Sequence, residues 1–371
     1  MHHLHPESKN IWRDILPALA EKGEKTLIPF GLSAPLFREI EDIANIYASR
    51  RSEFIADVME ALFRFRYPER SLQRFARFLE AADMQDCIPE NHTNISSILA
   101  KIFIISGALS RRLSASPSLA ESLAALENPL EPRQERSYYL EMYRSSARAA
   151  TSASERIKAL HRMHTVQFMR IAARNFDPLT DISEIGRELS SLADAVIDIC
   201  LELAVVNLET RSNVPRIDHS LIVLGLGKLG GRELNVSSDI DLIFLYTERD
   251  GDESQQAAYH TYLAEQMTRL LTEPTELGAL YRVDTRLRAD GASGPLVRAM
   301  KDYYRYLEMR GEAWERQMLI KARPVGGDIH SAQSFLNSLE RFIYPASITR
   351  SPHREIVALK NQIEARLTAE G

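Results

Sequence analysis

The chain has 371 residues, 44% hydrophobic and 26% charged, with a formal net charge of −5. That composition is ordinary for a water-soluble protein of two to three domains, and its acidic balance argues against general nucleic-acid affinity, which needs basic surface. Two cysteines, Cys87 and Cys200, make no disulfide framework, and no apolar run approaches the ~18 residues of a membrane span.

Residues 1–10 lack a signal-peptide apolar region, so a reducing cytoplasm is the expected location. His2, His3 and His5 there read as a tag-like terminus rather than a metal site. From there to about residue 215 the pattern is helical. Ile95, Ile98, Leu99, Ile102, Ile105, Leu109 and Leu113 share one apolar face. Pro129 and Pro132 mark a turn. His161 and His164 stand at i, i+3 without an evident carboxylate ligand, which predicts a polar helix face. Ile185, Leu189, Leu192, Val196, Ile199 and Leu203 form a second stripe, with Cys200 a core residue in it. Asp181 and Glu184 have capping-box spacing ahead of that helix. Residues 211–218 break the helical pattern and open a new region.

The apolar run Ser220-Leu221-Ile222-Val223-Leu224 predicts a strand. It leads into Gly225-Leu226-Gly227-Lys228-Leu229-Gly230, a G-x-G-x-x-G. A dinucleotide fold needs a helix of three or four turns after the glycines. Residues 231–238 have room for about two turns before the next strand. A phosphate loop of the GK[ST] type fails as well, because Leu229 follows Lys228. The next strand begins Asp239-Ile240-Asp241 and continues to Tyr246. Side chains two apart point the same way, and at about 3.3 Å per residue the two Cα atoms stand roughly 6.6 Å apart. Two carboxylates so placed repel unless a cation joins them, and hard oxygens beside a phosphate-cradling turn suit Mg²⁺.

An acidic loop with Glu248, Asp250, Asp252 and Glu253 follows, then a helix marked by Tyr259, Leu263, Met267, Leu270 and Leu271. Residues 281–288 alternate with period 2. Val283, Thr285 and Leu287 take one face; Arg282, Asp284, Arg286 and Arg288 take the other. This predicts a strand presenting a third metal carboxylate flanked by guanidinium groups for phosphate oxygens. Asp290-Gly291 predicts a turn pairing residues 280–288 with 295–299. From about Ile329 the chain returns to helix, and Ile356, Leu359, Ile363 and Leu367 mark a last apolar stripe. Paired glycines, D-x-D on one strand and an aspartate on a later strand together form a nucleotidyltransferase arrangement.

The stretches "GLGKLGGRELNVSSDIDLIFLY", "YRVDTRLRADGASGPLV" and "DYYRYLEMRGEAWERQMLIKARPVGGD" closely resemble the bacterial glutamine synthetase adenylyltransferase/deadenylylase family, over roughly residues 95–365. The resemblance implies an α+β chain. Residues 1–215 would be a helical region, 216–328 a polymerase-β-like nucleotidyltransferase domain with a mixed sheet, and 329–371 a helical tail. It implies one or two Mg²⁺ ions, with Mn²⁺ as the alternative, on Asp239, Asp241 and Asp284. Gly230, Gly231, Ser238, Arg286, Arg288, Lys321 and Arg323 would hold the nucleotide and phosphate. The implied partners are glutamine synthetase as protein substrate, the PII signal protein as regulator, and adenine nucleotide with phosphate.

The wording around Ser237-Ser238 and Trp314 resembles the N-terminal half, which removes AMP from a tyrosine by phosphorolysis and gives ADP. That half continues beyond the point where this chain stops, so a fragment is expected. The residues alone leave direction open, because three arginines beside one aspartate suit pyrophosphate as well as phosphate. The adenylylating half, another protein nucleotidylyltransferase, and a nucleotide-binding regulatory module without turnover remain as alternatives.

Overall fold

The computed structural model describes residues 12–13, 34–47, 52–64, 69–87, 93–132, 135–177, 179–209, 220–345 and positions 356, 357, 360, 361, 364 and 365. Residues 1–10, the break at 211–218, and Leu359, Ile363 and Leu367 lie outside this set. Among the described residues no helix is long and apolar enough to cross a membrane.

The first nine helices are α1 (Ala34–Tyr47), α2 (Ser52–Phe63), α3 (Glu69–Met84), α4 (Thr93–Ile105), α5 (Gly107–Ala115), α6 (Ser118–Ala124), α7 (Arg136–Ser146), α8 (Ala153–Arg174) and α9 (Ile182–Glu209). The apolar face expected along residues 95–113 is real but belongs to two helices. Ser106 interrupts it by accepting the Leu109 N–H and capping α5. All six apolar stripe residues expected along α9, and Cys200, are buried. His161 and His164 depart from expectation. Both are buried on α8, not on a polar face. Their neighbours explain it: the Thr275 hydroxyl meets His161 Nδ1 at 3.2 Å, and the His164 ring lies 5.6 Å from that of Phe168.

The chain divides into two compact units. One comprises Met1–Arg133, Lys158–Ile185 and Pro274–Gly278 and is built from helices. Its core includes the rings of Phe54, Phe75, Phe78 and Phe103. The other comprises Gln134–Ile157, Gly186–Glu273 and Ala279–Gly371 and contains the sheet. Its elements are β1 (Leu221–Gly225), α10 (Gly227–Gly230), β2 (Ile240–Tyr246), α11 (Glu253–Thr272), β3 (Val283–Asp284), β4 (Val297–Ala299), α12 (Met300–Arg310), α13 (Ala313–Leu319), β5 (Arg323–Gly327), α14 (Ile329–Ser338) and α15 (Glu340–Ile343). The architecture is thus α+β: a mainly helical N-terminal region and a small mixed sheet.

The strand order is β3-β2-β1-β5, with β4 also on β2. Strand β1 runs antiparallel to β2 and β5, whereas β3 and β4 both run parallel to β2. The expected pairing of residues 280–288 with 295–299 is therefore corrected. Both segments use the same edge of β2, β3 at Ile240–Asp241 and β4 at Phe244–Tyr246. The alternating strand also ends early, at Asp284. The Arg286 N–H turns back to the Asp284 carboxylate at 2.8 Å, a side-chain bond that competes with ladder pairing. Asp290 then takes a left-handed conformation, φ 61°, and returns the chain to the sheet edge. One sheet face buries Ile222, Leu224, Ile243 and Leu245 against Tyr303, Leu307, Leu319 and Phe335. Asp241 shares that face by its period-2 position, just beyond the end of the core.

Candidate functional site

Strand β1 delivers the chain to the glycine turn at its C-terminal end. Leu226 leaves it extended and donates its N–H to the Asp241 carbonyl at 3.0 Å, which ties the turn to β2. Gly227 then needs to be glycine for two reasons. Its φ is 51°, and a Cβ there would stand 2.8 Å from Asp241 Oδ2. The backbone therefore passes directly against that carboxylate. Gly230 is constrained from the other side, where a Cβ would lie 2.1 Å from the Lys321 carbonyl oxygen.

The short helix expected within residues 231–238 is found instead inside the glycine motif, as the single turn α10. Residues 231–238 form turns, and the cause is local. Asn235 Oδ1 accepts the Ser237 N–H at 3.0 Å and the Ser238 hydroxyl at 2.9 Å. Ser238 Oγ in turn accepts the Asn235 N–H at 3.1 Å. Asn and Ser side chains compete in this way with helical hydrogen bonds. Ser238 thus braces the loop that presents Asp239.

The structure brings the three expected acids to one end of the sheet. Asp241 and Asp284 are direct register partners on the parallel strands β2 and β3, so both side chains leave the same face. Asp239 lies two residues before Asp241, at the entrance to β2. Burial pushes the Asp241 carboxyl above its ordinary value, and the charges of Asp284 and Asp239 add to the shift. Asp284 behaves oppositely. Hydrogen bonds from Arg286 hold its carboxyl below the ordinary value.

Two of the acids are engaged by arginines. Asp239 pairs with Arg282 Nε, and Asp284 takes both Nε and Nη2 of Arg286, at 3.0 and 2.6 Å. Among the described residues no three acidic, His or Cys side chains stand ready-made around a metal position. The donor set still fits a hard divalent cation: three carboxylates from adjacent strand positions, whose mutual repulsion a cation relieves.

The other expected binding residues are placed differently from one another. Arg286 is on the acid cluster, with its side chain 78% exposed. Arg288 is turned into its own loop, donating to the carbonyls of Thr285, Ala292 and Gly294. Lys321 pairs with Glu233 at 2.6 Å on the surface beside Gly231. Arg323 stands behind the glycine turn. It makes a two-pronged pair with Asp194, at 2.7 and 3.0 Å, and donates to the carbonyls of Leu229 and Gly230. The Leu229 carbonyl also accepts the Arg232 N–H at 3.1 Å, and Arg323 fastens this end of the turn to α9 through Asp194.

Two contributors were missed in the sequence. Asp194, 3% exposed in its side chain, is the anchor for Arg323. Its signal was an acid between Ala193 and Ala195 inside an apolar helical stripe, and a buried charge needs a partner. Lys228, exposed within the glycine motif, carries a positive charge that offsets the rise at Asp241.

The sequence pattern of the family described as glutamate-ammonia ligase adenylyltransferase matches residues 96–338, which include every acid, glycine and arginine discussed above. Several curated relatives carry the name bifunctional glutamine synthetase adenylyltransferase/adenylyl-removing enzyme. The one from Pseudomonas aeruginosa is 32% identical over 82% of this chain and 30% of its own length. That from Nitrosococcus oceani is 34% identical over 69% of this chain and 27% of its own. That from Streptomyces avermitilis is 30% identical over 84% of this chain and 31% of its own. The chain thus spans about three tenths of the length of these relatives.

Proposed function

The chain belongs to the glutamate-ammonia ligase adenylyltransferase family, and from that premise we propose that it removes AMP from an adenylylated tyrosine of glutamine synthetase by phosphorolysis. The observation that carries the reading is the register pairing of Asp241 with Asp284 beside the glycine turn, with Arg286 on Asp284. Asp239, Asp241 and Asp284 would hold one or two Mg²⁺ or Mn²⁺ ions, which when bound supply charge neutralisation for the phosphate oxygens.

The remaining work falls to the chain itself. The N–H groups of Gly230 and Gly231 donate to the Leu226 and Gly227 carbonyls, at 2.9 and 3.0 Å, so these two glycines shape the turn beside the nucleotide phosphate rather than donating to it. Arg286 and Lys228 meet the incoming phosphate. A phosphate oxygen attacks the phosphorus of the tyrosyl-AMP ester, the bond from phosphorus to the tyrosyl oxygen breaks, and the tyrosinate takes up a proton. The product is ADP. Arg288 and Arg323 keep the loop and the glycine turn in place for this step, and Lys321 with Glu233 borders Gly231. The PII signal protein is the regulator that this reading implies. The two cysteines are free thiols, which agrees with a cytoplasmic location.

A second reading shares the site: ATP-dependent transfer of AMP to the tyrosine. The exposed guanidinium of Arg286 carries it, since that fork suits pyrophosphate as well as phosphate. Product analysis separates the two. Adenylylated glutamine synthetase with phosphate and Mg²⁺ yields ADP in the first reading. Unmodified glutamine synthetase with ATP yields pyrophosphate in the second.

A further inference from the structure

The three arginines around the acids are held in three different ways. Arg288 gives its guanidinium to backbone carbonyls of its own loop. Arg282 has one anchor on Asp239 and another on the Ser237 carbonyl, at 3.0 Å. Arg286 differs from both. Every hydrogen bond of its guanidinium goes to one carboxylate, that of Asp284, and its side chain is otherwise in solvent.

Asp284 is heavily used in return. Oδ1 accepts the Arg286 backbone N–H and Nε, and Oδ2 accepts Nε and Nη2. Its register partner Asp241 lies on the adjacent strand. A divalent cation shared between Asp241 and Asp284 needs carboxylate lone pairs that Arg286 now occupies. The cation and the guanidinium therefore compete for Asp284. Displacement leaves Arg286 as a cation with no other acceptor among the described residues, close to the same spot, with a planar fork suited to a tetrahedral oxyanion.

Resting on the metal reading of this site, we propose that Arg286 is an exchangeable counter-ion: a divalent cation takes Asp284 from it, and the freed guanidinium becomes the binding group for inorganic phosphate. Cation and phosphate then bind cooperatively, because each removes the obstacle to the other. Without phosphate, releasing Arg286 costs the ion pair. With phosphate, the guanidinium gains a doubly charged partner in place of the carboxylate. By linkage the effect is reciprocal, so phosphate tightens the cation as much as the cation tightens phosphate. Arg282 does not take this part, since its second anchor holds it in place.

The test is Mn²⁺ binding to the full chain, read from the EPR signal of the free ion, with and without millimolar inorganic phosphate. Wild-type protein is compared with Arg286→Gln, Arg286→Lys and Asp241→Asn. Exposed ion pairs are weak, so Arg286→Gln is expected to tighten Mn²⁺ about two- to fivefold when phosphate is absent. Phosphate should tighten Mn²⁺ on the wild type about tenfold, within the usual range of coupling. That factor should fall at least threefold in Arg286→Gln and return in part in Arg286→Lys, which keeps the charge and loses the fork. Circular dichroism shows that each variant folds. If Mn²⁺ binds through Asp241 but Arg286→Gln binds it no tighter, with the phosphate effect unchanged, the exchange is wrong and the metal reading stands. If Mn²⁺ binds equally to wild type and Asp241→Asn, or to neither, both fall.

Discussion

Replacing Gly230 by alanine tests the glycine turn with the smallest change available. The new Cβ would sit 2.1 Å from the Lys321 carbonyl oxygen, 2.6 Å from the Gly225 carbonyl oxygen and 3.0 Å from the Lys321 carbonyl carbon. All three are backbone atoms, so no side chain can swing aside. The turn or β5 has to move by about 1 Å, a misplacement that costs on the order of 10²-fold in rate when catalytic geometry is lost. The same movement stretches the bonds from Arg323 to the Leu229 and Gly230 carbonyls, now 3.0 and 3.3 Å. Overpacking of this kind costs about 1–3 kcal/mol, which the protein is expected to survive folded. The assay pairs urea unfolding with initial rates of ADP formation from adenylylated glutamine synthetase. The expected result is a lower unfolding midpoint, unchanged circular dichroism in buffer, and kcat reduced about a hundredfold or more. Activity within threefold of wild type would show that the turn does not position the reaction.

Asp241→Asn should lower turnover by on the order of 10³-fold, the several kcal/mol that metal-held charge supplies, while Tm at pH 7 is equal or higher. Because burial and its acidic neighbours raise the folded Asp241 carboxyl, the wild-type penalty exists at neutral pH. It disappears as pH falls through that raised value towards the ordinary 3.8, so the thermal advantage of the variant should vanish in acid. A variant less stable than wild type at pH 7 contradicts the repulsion. Asp194→Ala leaves the half-buried Arg323 with its backbone carbonyl acceptors but without its carboxylate, and urea unfolding should show a loss of about 2–4 kcal/mol; a loss below about 1 kcal/mol refutes the strut. Burial holds the His164 imidazole down at about 3. Stability is therefore full above the ordinary 6.5 and lost as pH falls from there towards about 3, at up to about 1.4 kcal/mol per pH unit from this group. His164→Leu should flatten that slope between pH 7 and 5, and an unchanged slope would place the titration elsewhere.

Much of the fold was legible because single helices and strands announce themselves by period. The stripes of α9 and α11 and the apolar runs of β1 and β2 are buried as their spacing implies. Asp241 and Asp284 come together because they sit in register on neighbouring strands, with Asp239 two residues before Asp241 at the entrance to β2. Pairing of β3 and β4 was not legible. An Asp-Gly between two short alternating segments is also the signature of a hairpin, and only the tertiary context sends both segments to one edge of β2. The alternation of residues 281–288 misled beyond Asp284, because a side chain can capture a backbone N–H that the pattern assigns to a ladder. His161 and His164 look polar in the sequence, yet neutral imidazoles fit a helical core. The strut of Asp194 and Arg323 joins residues 129 positions apart. Arg323 stood out in the sequence only as a phosphate-binding residue, Asp194 did not stand out, and nothing local links them.

The most direct measurement is nucleotide analysis after incubating this chain with adenylylated glutamine synthetase, inorganic phosphate and Mg²⁺. The expected product is ADP, formed in step with loss of AMP from the tyrosine, abolished by EDTA and absent from the Asp239→Asn, Asp241→Asn and Asp284→Asn proteins. Retention of AMP on the tyrosine by wild-type protein, or ADP formation that survives EDTA and all three substitutions, would contradict the assignment of this acid cluster as the phosphorolytic site.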